Sequence, residues 1–342
     1  MKKNHIELNE LFFSKTWDFL NEYMPKRLNR SPETIESYRD TLTIFRHFVT
    51  DKYGKSLKDF RFSECTRDCI FEFRDYLKEK GNAPSTINLR VSAIRSYLTY
   101  AADDNVSLQS LVLQIGAIPP LKVPKKEKEI ISDAAFGAML EATPNSRIGI
   151  RDRTFMALMY DSAVRLNELL SLRLKDLNLD GDYPCILLHG KGNKERRAVI
   201  SEKTAAHIHN YMNIYHKHPS PEDYLFYTTI KGNTGKMSHG NGERILKKYA
   251  EKAREAGFEV PSTIYPHMLR RKKATALYQS GVPLEMISTL LGHSQIETTK
   301  IYARPSIEQM QEAMNQVEMP AANEKPLWLD DEDALARLAG LR

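Results

Sequence analysis

A proline- and lysine-rich break interrupts an otherwise helical hydrophobic pattern between Gly116 and Glu129. The segment reads GAIPPLKVPKKEKE, and its three prolines prevent a helix from continuing and favour an extended backbone. A chain of 342 residues is also long enough for two domains of roughly 100 to 200 residues each. We therefore predict two domains, with the first over residues 1–115 and a basic linker over residues 116–129.

The first hundred residues favour an all-helical domain. Ser31-Pro32 is a helix start signal, Gly54 is a stop signal, and the apolar residues between them recur at helical spacing. A second amphipathic helix is expected after Ala83-Pro84-Ser85. Arg90 and Arg95 fall off its apolar face, where they would contact either phosphates or water.

Beyond the linker, helices return and a short strand pattern appears among them. Helices are predicted over residues 134–140, 151–160, 204–215, 242–256, 269–280 and 284–290. Strand-like runs at 185–188 and 198–200 flank the sequence GKGNK, which predicts a β-hairpin with a basic tip. We expect residues 130–318 to form a mostly helical domain with a small antiparallel sheet.

The C-terminal tail has a separate helical pattern. Residues 307–317 predict a helix, the stretch between Pro320 and Pro326 breaks it, and residues 327–341 carry a second leucine-rich segment. An apolar stripe this far from the core needs a partner surface, either on its own domain or on another molecule. Residues 319–342 are therefore treated as a distinct tail.

Composition and charge narrow the class of protein. The formal net charge is +6, and the last 27 residues hold six acids and three bases, so that residues 1–315 carry a net +9, which favours a polyanionic partner. Three cysteines suggest reduced thiols, with Cys65 and Cys69 expected in one helix. No apolar run reaches the roughly 20 residues of a membrane span, and no signal peptide pattern is present, so we expect a cytoplasmic protein without a metal or cofactor.

Several charged or titratable side chains lie at positions that suggest a functional role. Arg165 follows an apolar helix, where it is either paired with Glu168 or reserved for an anion. Lys191 lies between two glycines at the predicted hairpin tip. His267 and Arg270 are three apart, which places them on one face of a helix.

Two further residues follow near the end of the second domain. His293 comes directly after Leu291-Gly292, and Tyr302 follows nine residues later. Cleavage of a phosphodiester by a tyrosine phenol needs positive charges and proton-transfer groups beside it. The two arginines, the lysine and the two histidines can supply these to the tyrosine.

These residues lie in boxes that resemble the tyrosine recombinase family, the phage integrases and Xer-type enzymes, over residues 10–315. The boxes are RLNEL at 165–169, GKGNKER at 190–196, HMLR at 267–270 and LGHS at 291–294 leading to Tyr302. Ala163 stands where the family usually has glycine, which puts the local turn in question, and Arg271 stands where histidine is common.

The resemblance implies a mainly α fold, with an N-terminal four-helix core-binding (SAM-like) domain and a mixed α/β catalytic domain. It implies a site-specific recombinase or integrase, of a mobile element, phage or chromosome, that forms a 3′-phosphotyrosine intermediate without a cofactor. The implied partners are double-stranded DNA with paired sites and three further copies of the chain, assembled at the nucleoid as a tetramer through exchange of the C-terminal tail. The alternatives are relaxation of supercoils by a type IB topoisomerase and a catalytically silent DNA-binding protein.

The resemblance implies a role for each of the six candidate catalytic side chains. Arg165 and Arg270 would bind the nonbridging phosphate oxygens, since a guanidinium fork can contact two of them. Tyr302 would be the nucleophile and Lys191 the acid that protonates the leaving 5′-oxygen. His267 is the favoured base and His293 a hydrogen-bond donor, and the reverse assignment stays open.

Basic residues outside the boxes are candidates for binding DNA. They are Arg90, Arg95, Lys122, Lys125, Lys126, Lys194 and Arg271.

Overall fold

The protein is described by a computed structural model that covers residues 10–103, 105–124, 129–190, 195–292, 299, 310–311 and 332–341. The chain divides into two compact units, Met1–Glu127 and Lys128–Arg342. Most of the described residues are helical, with small antiparallel sheets in the second unit. The predicted mainly α fold class is confirmed.

The first unit is built from helices joined by tight turns. In chain order the helices are α1 (Thr16–Asp18), a π-helix (Phe19–Arg27), α2 (Pro32–Tyr53), α3 (Arg67–Glu79), α4 (Pro84–Ala102) and α5 (Gln109–Gly116). Short 3-10 turns occupy Phe62–Glu64 and Val106–Leu108.

Local capping signals explain where these helices begin and end. The Ser31 hydroxyl accepts a hydrogen bond from the Thr34 backbone N–H, and Pro32 occupies the first helical position of α2. Gly54 ends α2 with a positive φ of 65°, as predicted. Cys65 lies in the turn before α3, because Thr66 caps that helix, so the prediction of one helix for both cysteines is wrong.

The core of the first unit is rich in aromatic rings. Phe12 packs against Phe45 with ring centroids 5.0 Å apart and against Tyr97 at 5.2 Å. The Tyr97 hydroxyl donates to the Phe12 carbonyl, which satisfies the one polar group of that buried ring. The segment before α2 is thereby fastened to α4.

The start of the predicted linker is held against the first unit. The Asn88 side chain donates to the Leu121 carbonyl at 2.9 Å and accepts from the Leu121 N–H at 2.8 Å. Arg74 donates to the Pro119 carbonyl at 2.7 Å, and Arg95 donates to the Ile118 carbonyl. The described part of the proline-rich segment is thus fixed by side chains of α3 and α4.

The second unit has a helical core with two small sheets. Its helices are α6 (Asp133–Glu141), α7 (Arg147–Asp161), α8 (Leu166–Ser171), α9 (Glu202–Tyr215), α10 (His239–Glu255), α11 (Pro266–Gln279), α12 (Leu284–Leu291) and α13 (Glu332–Leu338), with a 3-10 turn at Leu174–Asp176. The strands are β1 (Leu177–Asn178), β2 (Cys185–His189), β3 (Glu195–Val199), β4 (Tyr227–Ile230) and β5 (Asn233–Lys236).

The sheets match the predicted hairpin. Strands β1, β2 and β3 form one antiparallel sheet in that order, with Leu188 opposite Arg196. Strands β4 and β5 form a second hairpin that the sequence analysis did not predict. Helices α6, α9 and α11 pack against α7.

In the tail, α13 has no buried residue, and Leu338 is 76% exposed. The predicted helix over residues 307–317 lies outside the described residues apart from 310 and 311, which are helical. None of the helices in the described ranges is long and apolar enough to cross a bilayer.

Candidate active site

A tight turn after α7 presents Arg165 to solvent. Ala163 adopts a positive φ of 49°, a left-handed conformation that alanine rarely takes, and its side chain is buried. This reverses the chain between α7 and α8, so that Arg165 precedes α8 with its side chain 47% exposed. The sequence left open whether alanine could form this turn in place of glycine. In the structure, Ala163 adopts the conformation that glycine would favour.

Arg165 and Glu168 form the ion pair that the sequence left as one of two alternatives. The Arg165 Nη1 atom lies 3.0 Å from Glu168 Oε1, and the Arg165 backbone N–H donates to Glu168 Oε2 at 2.9 Å. The carboxylate therefore fixes both the main chain and the side chain of Arg165. Nearly half of the Arg165 side chain still faces solvent, where an anion can reach it.

A second arginine binds the same carboxylate from β3. The Nη1 and Nη2 atoms of Arg196 each lie 3.0 Å from a Glu168 oxygen, in a two-pronged ion pair. Burial opposes the ionisation of Glu168, but hydrogen bonds from Arg196 and Arg165 and their positive charges outweigh it and lower its pKa to about 2. Glu168 is therefore ionised at any ordinary pH.

Arg270 is held inside the protein near the same turn. It lies on α11, which begins with Pro266, and it is 1% exposed. Its Nη1 atom donates to the Ala163 carbonyl at 2.7 Å, and its Nη2 atom donates to the Leu291 carbonyl at 2.6 Å. The guanidinium plane is thus fixed by two backbone oxygens from separate elements.

Arg196 and Arg270 both contact the end of α12. Arg196 Nε lies 3.4 Å from the Leu290 carbonyl, next to the Leu291 carbonyl that Arg270 binds. Gly292 ends the helix with a φ of 64°, and a Cβ atom there would lie 2.8 Å from the Arg196 Cδ atom. Glycine suits both the positive φ and this close approach to Arg196, and a side chain here would require Arg196 to shift.

His267 lies in the first turn of α11, exposed and three residues before Arg270. The structure thus places His267 and Arg270 on the helix that their spacing predicted, and it brings Arg165 and Arg270 to one turn. Lys191, His293 and Tyr302 lie outside the described residues, so their predicted roles stay predictions.

The base of the β2–β3 hairpin carries a charged cluster next to the segment with Lys191. His189 Nε2 lies 3.0 Å from Asp176 Oδ1, and His189 Nδ1 lies 3.1 Å from Glu195 Oε1. The hydrogen bond with Asp176, and then the charges of both carboxylates, raise the pKa of His189 above its ordinary value. Two acids therefore stabilise a protonated histidine where the hairpin begins.

The other predicted DNA-binding residues have varied surroundings. Lys122 is exposed and Arg271 is 4% exposed, while Arg90 and Arg95 are partly buried on α4. Lys125, Lys126 and Lys194 lie outside the described residues. Contact with DNA stays a prediction for all seven.

Arg196 lies in the GKGNKER box, but no role was predicted for it. A signal was available, because Arg196 alternates with Arg197 on β3 and shares the inner face with the buried Ala198. A charged residue on the inner face of a strand needs an ionic partner, which is Glu168 here.

In the part of the chain that the structure describes, neither a metal cluster nor the cavity beside Tyr215 points to a different site. Within the described ranges, no three His, Cys, Asp or Glu side chains are grouped to hold a metal ion. A cavity of about 450 Å³, lined by Arg147, Tyr215 and Tyr227 among others, includes none of the predicted catalytic residues.

Two family models match the chain. Residues 131–309 match the phage integrase family, and residues 15–112 match the phage integrase SAM-like domain. The first match alone covers more than half of the chain.

Individual relatives agree with these matches. Tyrosine recombinase XerC of Natranaerobius thermophilus is 30% identical over 87% of this chain and 96% of its own length. Tyrosine recombinase XerA of Pyrococcus furiosus is 28% identical over 82% of this chain and 89% of its own length.

Solved structures share the fold. The XerH site-specific recombinase, in a post-cleavage complex with a palindromic difH substrate, aligns with a TM-score of 0.64 and 21% identity, over 86% of this chain and 83% of that one. The Tn1549 transposon integrase, in complex with a circular intermediate DNA, aligns with a TM-score of 0.66 and 18% identity, over 89% and 99%. The chain therefore belongs to the phage integrase family, and it is a tyrosine recombinase, a site-specific enzyme that transfers DNA strands.

Proposed function

We propose that this recombinase cuts and rejoins DNA through a transient 3′-phosphotyrosine bond at Tyr302. The observation that carries the proposal is the convergence of Arg165 and Arg270 on the turn at Ala163. Two permanently charged guanidiniums held at one turn suit a phosphate whose transition state gathers negative charge on its nonbridging oxygens.

The two arginines differ in a way that fits this role. Arg270 is held by two carbonyls and provides a fixed positive charge, while Arg165 is half exposed and can reach the phosphate. Preorganised charges of this kind need little rearrangement when the transition state forms.

The remaining groups complete the proposed reaction. The Tyr302 phenol attacks the phosphorus atom and loses its proton to His267, while His293 donates a hydrogen bond to a phosphate oxygen. Lys191 protonates the 5′-oxygen that leaves. The phosphotyrosine bond keeps the energy of the broken linkage, so that an incoming 5′-hydroxyl reseals the strand without a nucleotide cofactor.

The proposed partners are two double-stranded DNA sites and three further copies of the chain. The leucines of α13 support exchange of the C-terminal tail between neighbouring subunits, since Leu335 is 47% exposed and Leu338 is 76% exposed. We place the reaction in the cytoplasm, at the nucleoid, with Arg90, Arg95, Lys122, Lys125, Lys126, Lys194 and Arg271 as candidate DNA contacts.

A nicked suicide duplex that carries the DNA flanking the coding region tests the proposal. Cleavage beside the nick releases a short strand that diffuses away, which traps the protein on the DNA. The wild-type chain should form a covalent complex that survives denaturation, and Tyr302→Phe should form none while it still binds the duplex. A covalent complex with Tyr302→Phe would show that another residue is the nucleophile.

The same substrate tests the tail. A chain truncated after residue 319 should cleave the duplex yet fail to bring two sites into one complex. Normal pairing of sites by the truncated chain would exclude the exchange of tails.

A further inference from the structure

We propose that Arg196 is a positioning residue for DNA cleavage, which keeps Glu168 from neutralising Arg165 and links that pair to the end of α12. Since Arg165 is assigned to the phosphate, the role of Arg196 rests on the proposed function. Arg196 does not itself contact DNA on this account, because only 15% of its side chain is exposed and its guanidinium faces Glu168.

The geometry of the carboxylate carries the first step. Both Glu168 oxygens bind Arg196 at 3.0 Å, in a fork, whereas Arg165 reaches Glu168 through a single side-chain atom, Nη1. The main-chain N–H of Arg165 makes the remaining contact. Glu168 therefore orients Arg165 while its charge is directed mainly at Arg196.

Charge explains why this arrangement matters for a phosphate. A buried carboxylate paired with Arg165 alone would cancel the positive charge that the phosphate needs, and it would compete for the same donors. With Arg196 present, two guanidiniums share one carboxylate and the cluster keeps a net positive charge. Arg165 is then held in place without losing its attraction for an anion.

The second step links the cluster to the residue after α12. The stem of Arg196 fills the space beside Gly292, where a Cβ atom would lie 2.8 Å from Cδ and 2.9 Å from Nε. Arg196 Nε also faces the Leu290 carbonyl at 3.4 Å. His293 follows Gly292 directly in the sequence, so Arg196 touches the segment that leads into a proposed phosphate-binding histidine.

An ordinary structural ion pair is the competing explanation, and β3 offers a matched control. Arg197 is the next residue on the same strand, it is exposed on the opposite face, and it has no assigned role. Arg196→Gln and Arg197→Gln remove the same charge from neighbouring positions. The two variants therefore change the overall charge, and its effect on DNA binding, by the same amount.

The experiment measures single-turnover cleavage of the nicked duplex over a range of protein concentrations. We expect Arg196→Gln to lower the first-order cleavage rate at saturation by about 10-fold or more, with a change of less than about twofold in the half-saturating concentration. Arg197→Gln should cleave within about twofold of wild type. Thermal melting of each variant shows that the measurements are made on folded protein.

Two further variants separate positioning from stability. Arg196→Lys keeps the charge and most of the stem but lacks the fork, so its saturating rate should also fall, by about threefold or more. Arg196→Gln should lower the rate by a smaller factor in the Glu168→Gln background than in the wild type, because the part of its effect that passes through that carboxylate is then already lost. If Arg196→Gln does not fold, the saturating cleavage rate of Arg196→Lys tests the proposal.

Each contrary result overturns the proposal. These are a normal saturating rate in Arg196→Gln, a loss confined to the half-saturating concentration, a wild-type rate in Arg196→Lys, and additive losses with Glu168→Gln. Absence of any covalent complex with the wild-type chain would instead contradict the proposed function, so that the two failures are distinguishable.

Discussion

Arg270 Nη1 donates a hydrogen bond of 2.7 Å to the carbonyl oxygen of Ala163. That carbonyl belongs to the turn, with φ at 49°, from which Arg165 emerges two residues later. The positions of the two proposed phosphate-binding arginines therefore depend on one strained backbone conformation.

This dependence predicts opposite tolerance for two substitutions at position 163. Ala163→Val should destabilise the protein by about 2 kcal/mol or more, because a β-branched side chain is strongly disfavoured at positive φ. Ala163→Gly should change stability by no more than about 1 kcal/mol, since relief of strain offsets the loss of a buried methyl group. Urea unfolding of the two variants checks this, and a stable Ala163→Val variant would contradict the positive φ.

Arg270→Lys should lower the rate of covalent complex formation by about 100-fold or more. A lysine ammonium cannot reproduce the fork that binds the Ala163 and Leu291 carbonyls and also face a phosphate. Single-turnover cleavage of the nicked duplex provides the measurement. Lys272→Arg is a matched swap on the same helix that keeps its ion pair with Asp133, and it should leave the rate unchanged.

The low pKa of Glu168 predicts a pH-dependent contribution to folding. Its pKa is about 2 in the folded protein against an ordinary 4.5, so its ionised form stabilises the fold above about pH 4.5, and this stabilisation is lost as the pH falls toward 2. The contribution is on the order of 3 kcal/mol at neutral pH and less than half of that at about pH 3.

Glu168→Gln removes this titration and provides the check. Urea unfolding should show a larger stability difference between wild type and Glu168→Gln at about pH 6 than at about pH 3. An equal difference at both pH values would mean that Glu168 does not have a lowered pKa in the folded chain.

Two glycines on α10 should respond differently to alanine. A Cβ atom at Gly242 would lie 2.9 Å from Leu166 Cδ1 and 3.1 Å from Phe155 Cζ, so Gly242→Ala should cost about 1 to 3 kcal/mol. Gly240 has open space around it, and Gly240→Ala should be neutral or stabilise by up to about 1 kcal/mol. Thermal melting of both variants compares them, and a Gly242→Ala variant as stable as wild type would show that α8 and α10 pack less closely.

The sequence predicted the helices well where their signals are local. Ser31-Pro32 and Gly54 mark the ends of α2 because capping depends on hydrogen bonds within a few residues. Predicted helix starts lay too far along the chain where the prediction relied on the apolar pattern and not on a capping residue. Helix α7 was predicted to begin at Arg151, but it begins at Arg147, because the Ser146 side chain accepts a hydrogen bond from the Gly149 N–H. The hairpin β4–β5 was missed because its short, polar strands lack an alternating pattern.

The sequence by itself determined the family, the mainly helical fold and the candidate catalytic residues, because each depends on residue types at short, characteristic spacings. Only the tertiary structure decided how these residues are held. Arg196 meets Glu168 across 28 positions, and Arg270 meets the Ala163 carbonyl across 107. The reason is physical: spacing along one helix or strand fixes which face a side chain occupies, whereas the partner of a buried charge is chosen by the packing of separate elements.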